Sequence, residues 1–439
     1  VSFATIRVFS VSECALRTLA MTLRVATDVG GTFTDLVAFQ LDAGGADLVI
    51  SKVDTVPGSL EDGVMNSLAK AGVAAPEIAF FAHGTTVVIN AITERKGVRT
   101  ALITTAGFRD TIEIARGDRP DFFNLSYKKP PPFVPRRLRY EVEGRLDYTG
   151  KEVQSVDLGA VDVIAAALLA EQPAVEAVAI CLLHSYVNPS HEKAVALRLR
   201  ELCPEMQVVV SCDVTQQWRE YERGSTAVLS AYVAPVVRRY LDRLTTRLLE
   251  EGMACRPYVM QSFCGVDTVQ GAIAKPVALL ESGPSSGVWA AAVLGELLGL
   301  GGVISLDVGG TTAKASLLPE GRIQIRSEYH VERTATSSGY PLLIPVVDIV
   351  EIGTGGGSIA WAEGTGPGMV PKLRVGPQSA GADPGPAACR WGGTCATLTD
   401  ANLHLRRIDP GLLRGVAASE ERALATEATA VATAVAAAA

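Results

Sequence analysis

At 439 residues, with 48% apolar and 20% charged side chains, the chain is long enough for two or three domains and too hydrophobic to be intrinsically disordered. A net charge of -7 offers no basic excess to displace counterions from a phosphate backbone, which excludes a general nucleic-acid binder. The eight cysteines form no CxxC pair and no regular spacing, so neither a zinc ribbon nor a disulfide framework is indicated, and reduced thiols in a cytoplasm are expected. Residues 1–20 read as a disordered upstream extension, since Arg7, Glu13 and Arg17 break any long apolar run of the kind a secretory signal requires. From Leu23 the pattern predicts an antiparallel meander of strands at Leu23 to Val29, Thr34 to Gln40 and Asp47 to Val53. A helix at Glu61 to Ala71 follows, then a strand at Ile78 to Ala82, a helix at Val87 to Lys96 and a strand at Val98 to Thr104. Such alternation predicts an α/β sheet with helices on its faces.

The segment Asp118 to Pro135, rich in Pro, Lys and aromatic residues, is expected to be a long functional loop. Strands at Ala177 to His184 and Gln207 to Val214 bracket a helix at His191 to Leu202, and Glu222 to Glu251 predicts one or two helices interrupted near Pro235. Val288 to Leu306 is nearly free of charge, but Glu296 and four glycines favour a packed helix followed by a buried strand over a membrane span. Ala315 to Leu318 and Gly321 to Ile325 suggest a further hairpin. Residues 353–393 are Gly/Pro-rich turns, and Ala417 to Ala439 is an Ala-rich tail.

The strongest signal is internal repetition. Asp28-Val29-Gly30-Gly31-Thr32-Phe33-Thr34-Asp35 returns 279 residues later (307 − 28) as Asp307-Val308-Gly309-Gly310-Thr311-Thr312-Ala313-Lys314, each copy between two apolar strands. Paired glycines allow a sharp turn whose backbone N–H groups can face phosphate oxygens, the threonine hydroxyls add donors, and an Asp at the strand end suits Mg²⁺ or an attacking group. One such turn is usually only a hairpin; two in equivalent settings suggest two related lobes clamping one nucleotide. No Walker A pattern is present, and no complete GxGxxG follows a strand in a βαβ unit.

With these motifs the chain resembles the hydantoinase A/oxoprolinase family from about Leu23 to Pro410. The matching blocks are DVGGTFTD at Asp28 to Asp35, HGTTVVINAITERKG at His83 to Gly97, TIEIARGDRPDFFNL at Thr111 to Leu125, SGPSSG at Ser282 to Gly287 and DVGGTTAKASL at Asp307 to Leu317. VVDIVEIGTGGGSIAW at Val346 to Trp361 and VGPQSAGADPGPA at Val375 to Ala387 complete the set. The resemblance implies an α/β fold of duplicated actin/sugar-kinase/heat-shock-ATPase-like (ribonuclease H-like) lobes, the second incomplete. Its expected divisions are 21–200, 201–410 and the tail 411–439. The implied activity is ATP-dependent opening of a cyclic amide, such as a hydantoin, 5-oxoproline or another lactam, with a second hydantoinase B-like subunit. A ketone carboxylase subunit and a truncated, catalytically silent nucleotide-binding protein are the alternatives.

By the same resemblance, Gly30, Gly31, Thr32, Thr34, Gly309, Gly310, Thr311, Thr312, Gly355 and Gly356 would hold the phosphates of ATP, with Asp28 and Asp307 managing Mg²⁺, another divalent cation, or water. His83 would be a proton shuttle or metal ligand, against the plainer role of a hydrogen-bonded core histidine. Thr85 and Thr86 open a helix and would bind an anionic group of the substrate, against simple N-capping. Arg116, Asp118 and Arg119 would be substrate-side residues, against a surface salt-bridge cluster. Asp348, Glu351 and Asp400 would offer oxygen ligands to a cation, against solvated loop carboxylates or caps. Cys389 and Cys395 flank a Gly-rich turn without a third partner at zinc spacing, so packing is the expected role. Cys264 stands in a turn where an Asn-Gly-Gly-like run is usual, and Arg406 where Gly is common, so a left-handed turn at Arg406 would carry strain.

Overall fold

The computed structural model describes residues 23–31, 33–42, 45–56, 58–117, 123–334, 336–363, 372–381, 384–389 and 392–409. The expectations for residues 1–20 and 411–439, and for Thr32, Asp118 and Arg119, fall outside them. Two compact units are present: unit 1 runs to Ser286 and takes in Ile325–Val346, and unit 2 takes Gly287–Gln324 and resumes at Val347.

Unit 1 opens with β1 (Leu23–Val29), β2 (Phe33–Asp42) and β3 (Gly45–Asp54), paired antiparallel as expected. Helix α1 (Leu60–Ala71) ends at Gly72, which takes the left-handed φ of 68° that a side chain would strain. β4 (Ile78–Thr85) returns parallel to β1, and α2 (Val87–Thr93) follows it. The next strands are β5 (Thr100–Thr105) and β6 (Arg139–Val142), then α3 (Leu158–Ala170), β7 (Ala177–Cys181), α4 (Ser190–Leu202) and β8 (Gln207–Val210). The 200/201 division drawn from sequence falls within α4. These four strands form an all-parallel sheet in the order β8-β7-β5-β6. β5 and β7 are buried throughout and β8 along most of its length, which is why Ala177–Cys181 reads as a continuous apolar run and not an alternation.

Helix α5 (Glu220–Glu250) runs unbroken for 31 residues through Pro235. The predicted interruption does not occur. Pro235 lies in a stretch buried on every side, and that packing outweighs the roughly 3 kcal/mol cost of a proline in a helix interior. β9 (Pro257–Met260) and β10 (Val266–Thr268) complete a six-stranded sheet in the order β10-β9-β4-β1-β2-β3. One core joins this sheet to α1, α2 and α5 through Val25, Val29, Leu36, Val64, Leu68 and Leu241. An antiparallel meander followed by parallel strands, with helices packed on it, is the α/β architecture expected of a ribonuclease H-like lobe.

Helix α6 (Ser282–Leu297) leads to β11 (Gly302–Val308), which pairs antiparallel with β12 (Ala313–Pro319), and β12 with β13 (Val350–Ile352). Two expectations fail here. Residues 315–318 pair with β11 and β13, not with Gly321 to Ile325, because the Gly-Gly turn already commits β12 to its predecessor. The strand expected to be buried exposes Ile304, Leu306 and Val308. β14 (Ser358–Glu363) and β15 (Lys372–Ser379) form a separate hairpin, and α7 (Leu398–His404) closes the described chain. Gln207 to Val214 is also shorter as a strand than expected, turning helical from Ser211 to Val214. Among the described residues no helix is long and apolar enough to cross a membrane.

Candidate functional site

The two repeated turns are built alike. In the first, Gly30 N–H donates to Phe33 O at 2.9 Å and Asp28 sits opposite Asp35; in the second, Gly309 N–H donates to Thr312 O at 2.9 Å and Asp307 sits opposite Lys314. The same 279-residue offset therefore holds for the register as for the sequence (307 − 28 and 314 − 35).

Asp28 is half-buried at the end of β1, with Gly84 beside it on β4. A Cβ on Gly84 would lie 2.6 Å from Asp28 Oδ1, and one on Gly283 would lie 3.0 Å from Oδ2. Two glycines from different elements thus make room for one carboxylate. Gly283 is held there by its neighbour: Ser282 Oγ donates to Thr85 O at 3.0 Å and accepts from Thr85 N at 3.3 Å. The sequence marks the SGPSSG block without giving it a place in the fold. The signal was a pair of small residues opening a helix, which allows backbone to approach backbone.

His83 is fully buried, with Nδ1 2.8 Å from Thr27 Oγ1 and Nε2 2.6 Å from Tyr240 Oη. Burial pushes its pKa down to about 3 and raises that of Tyr240, so the ring stays neutral. Both ring nitrogens are occupied, and His83 ties β1 and β4 to α5 as a core histidine; the geometry leaves no nitrogen for a proton shuttle or a metal. Thr34 is buried too, its hydroxyl 3.1 Å from that of Thr55, which in turn donates to Gly30 O at 2.9 Å. Thr86 N–H and hydroxyl both donate to Val29 O, at 3.1 and 3.2 Å, and Thr85 Oγ1 accepts from Val87 N at 3.2 Å. These threonines brace the first turn from beneath, and Thr85 satisfies a free N–H of α2.

Gly30 and Gly31 differ in their surroundings. A Cβ on Gly30 would come within 3.1 Å of Phe33 O, whereas a Cβ on Gly31, or on Gly310 in the second turn, would meet nothing within 4 Å. Neither Gly31 nor Gly310 has a positive φ. Packing and backbone conformation therefore do not account for these two glycines.

In unit 2 Asp307 and Thr311 are exposed and Thr312 half-buried. Gly356 N–H donates to Gly309 O at 2.9 Å, Gly357 N–H to Gly310 O at 2.6 Å, and Gly355 N–H to Ser358 Oγ at 2.8 Å. A Cβ on Gly355 would lie 2.6 Å from Gly309 O. Gly355 and Gly356 support the second turn and their N–H groups are already spent, so direct phosphate contact through those groups is ruled out.

The remaining candidates lie elsewhere. Arg116 grips Glu222 with Nε at 2.8 Å and Nη2 at 2.5 Å. Burial raises the Glu222 pKa and Arg116 lowers it, with a net fall. Glu222 precedes Tyr240 on α5 by 18 residues (240 − 222), roughly 27 Å along the axis. Arg116 is thus not gathered with Asp28. A narrow cavity lined by Ile112, Lys129, Phe133, Tyr221, Leu229 and Tyr340 shares that remote end of α5. Asp400 is a helix cap: Oδ2 accepts from Thr397 N and Oγ1 at 2.7 Å each, and Oδ1 from Ala388 N at 2.7 Å. Asp348 is half-buried, and its backbone joins Gln324 O and Ser316 Oγ at 2.8 Å; Glu351 faces Lys314 at 3.8 Å. Among the described residues no group of three or more His, Cys, Asp and Glu side chains could hold a metal ion, and the Asp400 carboxylate is taken up by its capping bonds.

The family model for the hydantoinase/oxoprolinase N-terminal region matches residues 24–203, and that for hydantoinase/oxoprolinase matches residues 223–438. An uncharacterized protein of Methanocaldococcus jannaschii is 39% identical over 408 residues, 91% of this chain and 58% of its own length. The caprolactamase subunit alpha of Pseudomonas jessenii is 34% identical over 402 residues, 89% of this chain and 56% of its own. The solved ATP-dependent caprolactamase of that organism superimposes with a TM-score of 0.72 at 30% identity, over 94% of this chain and 61% of the other. Nucleotide-free acetone carboxylase gives 0.74 at 25% identity, with the same coverage. The chain spans little more than half the length of the first curated relatives it matches.

Proposed function

Because this chain belongs to the hydantoinase/oxoprolinase family, we propose that it is the nucleotide-binding component of an ATP-dependent hydrolase that opens a cyclic amide. The observation that carries this reading is the Asp28 carboxylate between Gly84 and Gly283, next to a Gly-Gly turn whose second glycine has open space where a side chain would stand. A single carboxylate suits Mg²⁺ when nucleotide phosphates supply the other ligands, since this ion seldom uses an all-protein cage. In that role Gly31 would present its backbone N–H to phosphate, as would Gly310 in the second turn, while the N–H groups of Gly30 and Gly309 close the two turns. Asp28 would hold the cation, and His83, Thr34 and Thr86 would position the strand ends. ATP, when bound, supplies the phosphoryl group that makes an amide oxygen a good leaving group.

The likeness to acetone carboxylase favours a second reading, in which a ketone-derived enolate takes the amide's place. One experiment separates them. ADP release is measured with hydantoin, 5-oxoproline and lactam panels, then with ketones plus bicarbonate, with and without a hydantoinase B-like subunit. Lactam-stimulated release supports the hydrolase, and release dependent on both ketone and bicarbonate supports the carboxylase. No stimulation by any substrate, despite Mg-ATP binding, would leave a silent nucleotide-binding protein.

A further inference from the structure

Beside the Pro130 to Pro135 run, which the phosphate turns do not use, unit 1 holds a cavity of about 190 Å³. Gly97, Arg99, Phe133, Pro135, Arg137 and Tyr232 line it. At a water's share of about 30 Å³ it has room for about six waters, which suits a small ring compound and is too little for a nucleotide. None of the lining residues belongs to the surroundings of Asp28 or to either Gly-Gly turn, so this is a second site.

The charge in the cavity follows from the sheet beneath it. β5 and β6 are parallel neighbours, with Leu102 opposite Arg139, so Arg99 and Arg137, just ahead of them, come out side by side at the same end. Both guanidinium groups hold one carboxylate oxygen: Glu171 Oε2 accepts from Arg99 Nη2 and, at 2.9 Å, from Arg137 Nη1. Two positive charges thus share one negative, and neither arginine pairs with a second acid among the described residues. The acids closest to Arg99 and Glu171 in the chain are engaged elsewhere, Glu94 with Lys96 and Glu176 with Arg239. Arg99 Nε is buried with no hydrogen-bond partner among the described residues, and Arg137 spends one of its five N–H donors on Glu171. The remaining wall is apolar. Phe133 meets Tyr232 edge to face with ring centroids 4.9 Å apart, and a Cβ on Gly97 would lie 2.2 Å from the Tyr232 ring, so only glycine lets that ring close the cavity here. One surplus positive charge suits a monoanion, the planar fork of an arginine suits a carboxylate, and the aromatic wall suits a flat apolar body.

We propose that this cavity binds a small carboxylate carried on an apolar ring, with Arg137 and Arg99 taking the carboxylate and Phe133 and Tyr232 facing the ring. Benzoate, phenylacetate and cyclohexanecarboxylate, each beside its uncharged amide, are titrated into the full chain and followed by saturation-transfer NMR. At least one acid should bind with a Kd of about 10 mM or tighter, and its amide about tenfold more weakly. Arg137→Ala, at a side chain 59% exposed, should weaken the acid by about tenfold or more with the thermal midpoint little changed. Arg239→Ala, which frees another glutamate but lies outside the cavity, should leave acid binding as it was. Binding of no acid, equal binding of acid and amide, or an equal loss in Arg137→Ala and Arg239→Ala would overturn the proposal.

Discussion

The two copies of the Asp-Val-Gly-Gly-Thr hairpin share a register and a turn but not an environment. The first is braced by side chains, through the hydroxyls of Thr55 and Thr86 and beneath a buried histidine; the second is braced by backbone, through Gly355 to Gly357. A repeated motif thus specifies the turn, while the sequence around it decides how the turn is held. The first turn is locked into a core, and the second depends on glycines that let two loops touch.

If Asp28 is the working carboxylate, Asp28→Ala should lower ATP turnover by about 10²- to 10³-fold while leaving the thermal midpoint little changed, read by coupled ADP assay and calorimetry. Loss of less than about threefold would put the two copies on an equal, non-catalytic footing. Next in size is the acid response of the first copy. His83 keeps a pKa near 3 when folded against 6.5 when unfolded, so the unfolded chain binds the extra proton. Stability should fall as pH drops from about 6.5 towards 3, by an amount on the order of 4 kcal/mol at the acid end. Denaturant unfolding at several pH values checks this, and His83→Gln should flatten the profile. In the second copy, Gly355→Ala drives a Cβ to within 2.6 Å of Gly309 O and should cost about 1–3 kcal/mol, with the damage seen as faster amide exchange at 309–312. Smallest is Thr397→Ala, which removes the capping box that Asp400 completes and should cost about 1 kcal/mol, lowering the denaturant midpoint without changing the slope.

Much of unit 1 was legible because its signals are local. The meander at Leu23 to Val53 follows from alternation and Gly turns, and the helix over Leu60–Ala71 follows from its apolar stripe and the Gly72 stop. Pro235 misled because a proline's local cost is visible in sequence and the burial that offsets it is not. The strand after Val288 misled for the opposite reason, since an apolar run shows what a face needs without showing what covers it. At the site, the glycines of both turns were legible from repetition. Gly84 and Gly283 were not, because their purpose is to clear space around Asp28, a residue 56 positions from one and 255 from the other (84 − 28 and 283 − 28). His83, Thr34 and Asp400 were given functional roles because polar residues beside glycine turns resemble ligands until their partners are known. Arg406, where Gly is common, does take a left-handed φ of 56°, and Cys264 takes one of 67°. At Arg406 the turn is held by Arg407 N–H to Asn402 O at 2.9 Å, a helix-ending bond that sets against the roughly 1 kcal/mol a side chain costs there.

Titration calorimetry of Mg-ATP into the purified chain, beside Gly31→Ala and Gly310→Ala, tests the central claim most directly. Wild-type protein should bind Mg-ATP, and each substitution should weaken its binding by about tenfold or more, since an added methyl blocks phosphate and touches nothing in the protein. A folded wild-type chain that binds no nucleotide, or two substitutions that leave its affinity unchanged, would contradict the account.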